Sequence, residues 1–288
     1  MLHSMTGFAR RAAETPLGTL TWELRAVNHR FLDVQFRLPE ELRPKETDLR
    51  QQVSAILKRG KIDCSLHFHR ATSDAMGLRL NHELVQQIRA KIDELNDLLS
   101  ETRAINPVDI LRWPGVVSET EVETEPLFEQ ASRLLGETLA ALGEMRASEG
   151  KRIADMLESR CRDVVVVSAA VRQRLPEVLA AVRARQQERI DKLNIKADPA
   201  RLETELALIA QKLDVDEELD RLDSHISEIR DVVAADGPVG RRLEFLMQEL
   251  NRETNTLASK SADTETTRAA VDLKVLIEQM REQIQNVE

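Results

Sequence analysis

Residues 216–225 read DEELDRLDSH, five carboxylates around one arginine and one histidine. Acids three and four positions apart on a helix repel, so this density is costly unless basic groups or a cation face it. Val215, Leu219, Leu222, Ile226, Ile229 and Val233 recur in steps of four and three and predict the buried stripe of a helix. Beside it runs a polar stripe of Glu218, Arg221, His225 and Glu228. That spacing sets Glu218 and His225 two turns apart with Arg221 between them, and Glu217, Asp220 and Asp223 further round. Carboxylates and an imidazole so arranged could hold a cation. They could equally be a salt-bridged helix rim, and spacing alone leaves both readings open.

A second polar helix is predicted over GRRLEFLMQELNRETNTLASK, residues 240–260. Leu243, Leu246, Leu250 and Leu257 form a narrow apolar stripe. Glu249, Arg252, Glu253 and Thr256 line one flank with Lys260 beyond, and Gln248, Asn251, Asn255 and Ser259 line the other. Asn and Thr are mediocre helix formers, and a face that needed only solubility would favour Glu, Lys and Ala. The amides and hydroxyls therefore predict hydrogen bonds to a neighbouring helix, a phosphate backbone or the surroundings of a metal site.

The elements that must position these groups divide the chain in three. Residues 1–125 predict an α+β domain with a mixed or antiparallel sheet covered by helices. TLTWELRAV, RFLDVQFRL and KIDCSLHFH alternate with a period of two, as half-buried strands do. Pro44 opens a helical stretch that Gly60 is expected to stop. A short strand near Gly77–Leu80 leads into a helix from about His82 to Ser100. INPVDILRWPGVVSETEVETEP reads as an ordered connection and then a linker. Residues 126–198 predict a long helical hairpin or arm, interrupted near Pro176, and residues 199–288 a helical C-terminal domain. Trp22, Phe31 and Phe36 fall at strand-face core positions, Trp113 is expected to pack in the core, and His67 and His69 fit the solvent side of a strand.

Composition narrows the function. The net charge of −9 speaks against a uniformly nucleic-acid-binding surface, but the charge is split. Residues 1–70 carry 12 Lys and Arg against 8 Asp and Glu, whereas residues 201–288 carry 11 against 20. Aromatic residues are 3% of the chain and tyrosine is absent, so stacking is a poor route to single-stranded nucleic acid. No stretch approaches the roughly 20 apolar residues of a membrane span, and the first residues lack a signal-peptide core. Cys64 and Cys161 lack metal-ligand spacing and read as reduced core thiols, which predicts a cytoplasmic protein.

Eight stretches together resemble the YicC/YloC family in order along the whole chain: SMTGFAR, WELRAVNHRFLD, LRPKE, LKRGKID, INPVDILRWPGV, DEELDRLDSHISE, GRRLEFLMQELNRETNTLASK and LKVLIEQMREQIQN. The resemblance implies a divalent-metal-dependent endoribonuclease of bacterial RNA (small RNA) turnover. It also implies a homo-oligomer, with a hexamer favoured, and contact with RNA-decay enzymes.

Cleaving a phosphodiester requires charge stabilisation in the transition state, an activated nucleophile and a stabilised leaving oxygen. The metal-ligand candidates are Glu218, His225, Glu249 and Glu253, with Glu217 in reserve, a set suited to Mg²⁺ or Mn²⁺. Arg221 and Arg252 are the candidates to neutralise phosphate and Lys260 to steady the leaving group. A metal-free route would use the ribose 2′-hydroxyl as nucleophile and His225 as base. RNA binding is expected from Arg10, Arg11, Arg25, His29, Arg30, Lys58, Arg59 and Lys61, with steep salt dependence. The competing functions are a non-catalytic RNA-binding adaptor that hands RNA to another nuclease, and a helical scaffold with no RNA role.

Overall fold

The computed structural model describes residues 2–70, 79–98, 106–118, 124–192, 199–235 and 237–287. The sheet has the order β1-β2-β4-β3, from β1 (Gly7–Thr15), β2 (Gly18–Val27), β3 (Leu32–Arg37) and β4 (Gly60–Arg70). β2 pairs antiparallel with β1 and β4, while β3 runs parallel to β4. The three alternating segments are thus strands, as their periodicity requires. β1 was not legible: GFARRAAET has no period-two apolar pattern because it is an edge strand with only Ala9 buried.

The inner face of the sheet carries Leu20, Trp22, Leu24, Ala26, Ile62, Cys64 and Leu66, every second residue of the two central strands. It packs on α1 (Glu46–Ile56), through Leu49 and Val53, and on the first part of α4 (Thr124–Lys192). Trp22 donates its indole N–H to the Ala131 carbonyl at 2.8 Å and meets Phe36 edge-on. Truncating Trp22 to alanine is expected to cost about 3–5 kcal/mol. The helix expected to run to Gly60 stops earlier, where Leu57 turns extended. Gly60, at φ +108°, instead starts β4, a conformation that a side chain would strain.

Between sheet and helices lie β5 (Arg79–Leu80), α2 (His82–Leu98), α3 (Pro107–Leu111) and β6 (Val117–Ser118). Gly77, Ser100 and the acidic linker fall outside the described residues. Asn106 caps α3 by accepting from the Val108 N–H, with Pro107 following it. Trp113, expected in the core, is 59% exposed. It lines an open pocket with Leu84, Ile88, Ile92 and Leu95 of α2, a helix with no buried residue, and no described element encloses it.

Within the stretch expected to form a long helical hairpin or arm, residues 124–192 make one helix, α4, 69 residues and about 100 Å long. Pro176 lies inside α4 without ending it. The return arm is α5 (Pro199–Leu213), where Glu203 pairs with Arg183 of α4 and Leu213 joins Leu175, Pro176 and Leu179 along one groove. α4 serves both cores. Leu127, Leu135, Leu139 and Leu142 face the sheet. Ile153, Leu157, Cys161, Val164 and Val171 face a bundle of α6 (Asp216–Ala234), α7 (Gly240–Lys260) and α8 (Thr264–Ile284). Burial pushes the Cys64 thiol up to about 12 and the Cys161 thiol up to about 11, so both are unreactive core groups. The two ends of the chain lock the bodies together: Ser4 bridges Val287, and the Ser4 N–H donates to the Arg146 carbonyl at 3.0 Å.

Candidate active site

α6 and α7 are antiparallel, reversed at Gly237, whose φ of +111° suits only a residue without a side chain. Arg242 meets Glu228 at the near end, Arg221 meets Glu253 along the middle and Lys260 meets Glu218 at the far end. The apolar stripes read from the sequence, Leu219, Leu222, Ile226 and Ile229 against Leu243, Leu246, Leu250 and Leu257, are buried between them and α8. This packing brings the polar flanks of both helices along one seam.

On that seam His225 of α6 faces Glu249 and Glu253 of α7, with one ligand atom from each within 4.8 Å of the others. Glu249 and Glu253 are four apart, so helical geometry stacks them on one face. Among the described residues these three form the one group of metal-ligand type. One nitrogen and two carboxylate oxygens fit a borderline or hard divalent ion, and leave positions for water or phosphate. Glu253 is only 3% exposed, and a buried carboxylate requires a cation nearby. Its cation in the fold is Arg221, at 3.4 Å, which also pairs with Glu217. The Glu217 charge, and then the Glu253 carboxylate, raise the Arg221 pKa above that of an ordinary arginine.

The structure therefore splits the sequence-derived set. His225, Glu249 and Glu253 come together. Glu218, 7% exposed, is instead gripped by Lys260 at 2.8 and 3.0 Å, and Lys260 also donates to the Asp214 carbonyl at 2.8 Å. Glu217 is exposed and turned to Arg221. Arg252 lies 3.9 Å from Glu249 with its side chain largely in solvent. Asp220 and Asp223 are held by Arg172 of α4 at 2.7 and 3.2 Å. Most of the crowded acids are thus answered by basic side chains, as the rim reading requires, and the cation reading narrows to one trio.

The N-terminal basic residues are dispersed rather than massed. Arg10 and Arg25 extend from the outer sheet face, where Arg10 pairs with Glu23 at 3.4 Å and Arg25 stands in register with Asp63. Lys61 lies in register with Asp33, and Arg11 sits exposed on the edge strand. Lys58 donates to the Ser54 carbonyl at 3.0 Å, capping α1. Arg59 donates to the His29 carbonyl at 3.3 Å, and Arg30 stacks on Phe31 at 5.2 Å. Phe31 is exposed, not in the core, because it falls in the loop before β3.

Two further arginines escaped the sequence reading. Arg241 and Arg281 line a cleft with Arg59 and Asn28, between the sheet loops and the bundle. Asn28 donates to the Gln285 carbonyl across it. Arg281 lies within LKVLIEQMREQIQN, and nothing in that segment marks it as different from its charged neighbours.

Residues 2–155 match the family described as endoribonuclease YicC-like, N-terminal region, and residues 171–288 match endoribonuclease YicC-like, C-terminal. The chain belongs to the YicC-like endoribonuclease family. A probable endoribonuclease YicC of Haemophilus influenzae is 42% identical over 288 residues, covering all of both chains. A probable endoribonuclease YicC of Clostridioides difficile is 31% identical, again over the full length of both. In this YicC-like chain the first matched region comprises the sheet and the sheet-facing half of α4. The second begins within α4 and includes the whole α6–α7 seam.

Proposed function

We propose that this protein is an endoribonuclease that cleaves RNA phosphodiester bonds with a divalent cation held by His225, Glu249 and Glu253. The observation that carries the reading is the convergence of these three side chains from two helices, one of the carboxylates almost fully buried. A bound Mg²⁺ or Mn²⁺ would supply Lewis-acid stabilisation of phosphoryl charge and lower the pKa of water. The protein's own groups do the rest. Arg221 and Arg252 flank the trio on either helix and neutralise the phosphate being attacked. Glu217 keeps Arg221 in reach of Glu253. Lys260 and Glu218 fix the two helices against each other, so the ligands keep their spacing. Two carboxylates beside His225, that of Glu253 buried, favour this route over His225 acting alone as a base.

The resemblance read in the sequence leads us to propose, further, a role in bacterial RNA turnover and assembly as a homo-oligomer. No described helix is long and apolar enough to cross a membrane.

The test is cleavage of end-labelled RNA with EDTA and with Mn²⁺ restored. His225→Ala, Glu249→Gln and Glu253→Gln should each remove cleavage while RNA binding persists. EDTA-resistant cutting, or full activity in Glu253→Gln, defeats the metal assignment. Binding with no cutting under any metal returns the adaptor reading.

A further inference from the structure

Among the described residues, no other helix covers the amide-rich flank of α7. Gln248, Asn251 and Asn255 line an open groove of about 510 Å³ with Arg252 and Thr256, and Arg281 of α8 closes its far side. Gln248 and Asn255 are exposed, and Asn255 donates to the Asn251 side-chain oxygen at 3.0 Å. Of the three occupants that the sequence left open, a helix of the same chain does not fill it among the described residues. The groove also runs on. Arg281 lines both it and the cleft of Arg59, Arg241 and Asn28, while Arg252 lines it and reaches Glu249. A continuous track of arginines and amides thus leads from the sheet loops to the trio.

We propose that the α7–α8 groove is a subsite for unpaired RNA flanking the scissile phosphate, a proposal that rests on the nuclease reading of the seam. Phosphate accepts hydrogen bonds only, and guanidinium groups suffice for it. Side-chain amides both donate and accept, as base edges and 2′-hydroxyls require. Gln248 and Asn255 are seven residues apart, about 10 Å along the helix, room for roughly two nucleotides. Among the described residues no aromatic side chain lines the groove, so its contacts are to edges and sugars, not to base faces. A duplex hides those edges in pairing, which makes the subsite selective for unpaired strands. Arg281 and Arg241 then carry the phosphates of the same strand toward the sheet.

The experiment uses the full chain and a fluorescein-labelled mixed-sequence 12-mer RNA, alone and annealed to its complement, read by anisotropy in EDTA. The triple variant Gln248→Ala, Asn251→Ala, Asn255→Ala is expected to bind the single strand about tenfold more weakly and the duplex within twofold of the parent. In cleavage, the loss should fall on KM. Alanine strengthens helix propensity, so the fold is not at risk. Arg281→Glu should weaken the single strand further. Mn²⁺ affinity, measured by calorimetry without RNA, should not change in the triple variant and should vanish in His225→Ala. Equal single-strand affinity of triple variant and parent, or equal losses for duplex and single strand, overturns the subsite. Loss of Mn²⁺ binding or cleavage is a separate readout, so failure of the metal assignment is not confused with failure of the groove.

Discussion

Lys260 Nζ lies 2.8 and 3.0 Å from the two carboxylate oxygens of Glu218, joining the C-terminal end of α7 to the N-terminal end of α6. Glu218 is nearly buried, so removing the lysine strands a charge with no partner. The lysine itself is partly solvated, which moderates the cost. Lys260→Ala should lower stability by about 1–3 kcal/mol in urea unfolding, and adding Glu218→Gln should recover much of it. If Lys260→Ala unfolds like the parent yet no longer cuts RNA, the lysine acts in chemistry and not as a tether.

Arg221 competes with any cation for Glu253. Replacing it with glutamine removes a positive charge beside the trio and should tighten Mn²⁺ binding roughly three- to tenfold. The same change should slow cleavage by about 10²-fold, because phosphate loses a charged donor. Calorimetry and single-turnover kinetics read the two effects separately. Weaker metal binding in Arg221→Gln would contradict the competition.

Asp263 caps α8 by accepting from the Thr266 and Glu265 N–H groups, and it pairs with Arg174 of α4 at 2.8 Å. Burial works to raise its pKa, but the hydrogen bonds from Thr266 and Arg174 outweigh it and hold the pKa below the ordinary 3.8. A lowered folded-state pKa means the contribution is complete above 3.8 and is lost as pH falls through the folded value. Asp263→Ala should therefore cost about 1–2 kcal/mol at pH 7, with the gap from the parent shrinking below pH 3.8. Thermal melts across pH 2.5–7 (a range of about four and a half units) check this.

RNA affinity should fall steeply with salt, since guanidinium groups line the cleft between sheet and bundle. Arg241→Gln should reduce the slope of log affinity against log salt by about one. Arg10→Gln should change it less, because Glu23 already neutralises Arg10. Equal slopes for all three proteins would place the RNA elsewhere.

Periodicity was sufficient for β2, β3, β4 and the helices α6 and α7, because their burial depends on which residues share a face, and that is a local property. The same local geometry stacked Glu249 over Glu253 and ranged Gln248, Asn251 and Asn255 along the other flank. It failed at β1, whose edge position needs no apolar alternation, and at Pro176, where one continuous helix was read as interrupted. Trp113 and Phe31 were misplaced for a related reason: an apolar residue is enclosed only if other elements arrive to cover it.

The sequence by itself determined the helix faces and the family resemblance. Only the tertiary structure decided which acid found a cation on another helix, because such pairing depends on distances between helices that spacing along one helix does not contain. Arg172 reaches Asp220 and Asp223 from α4, and Lys260 reaches Glu218 across 42 residues of chain. The same packing leaves His225, Glu249 and Glu253 facing one another.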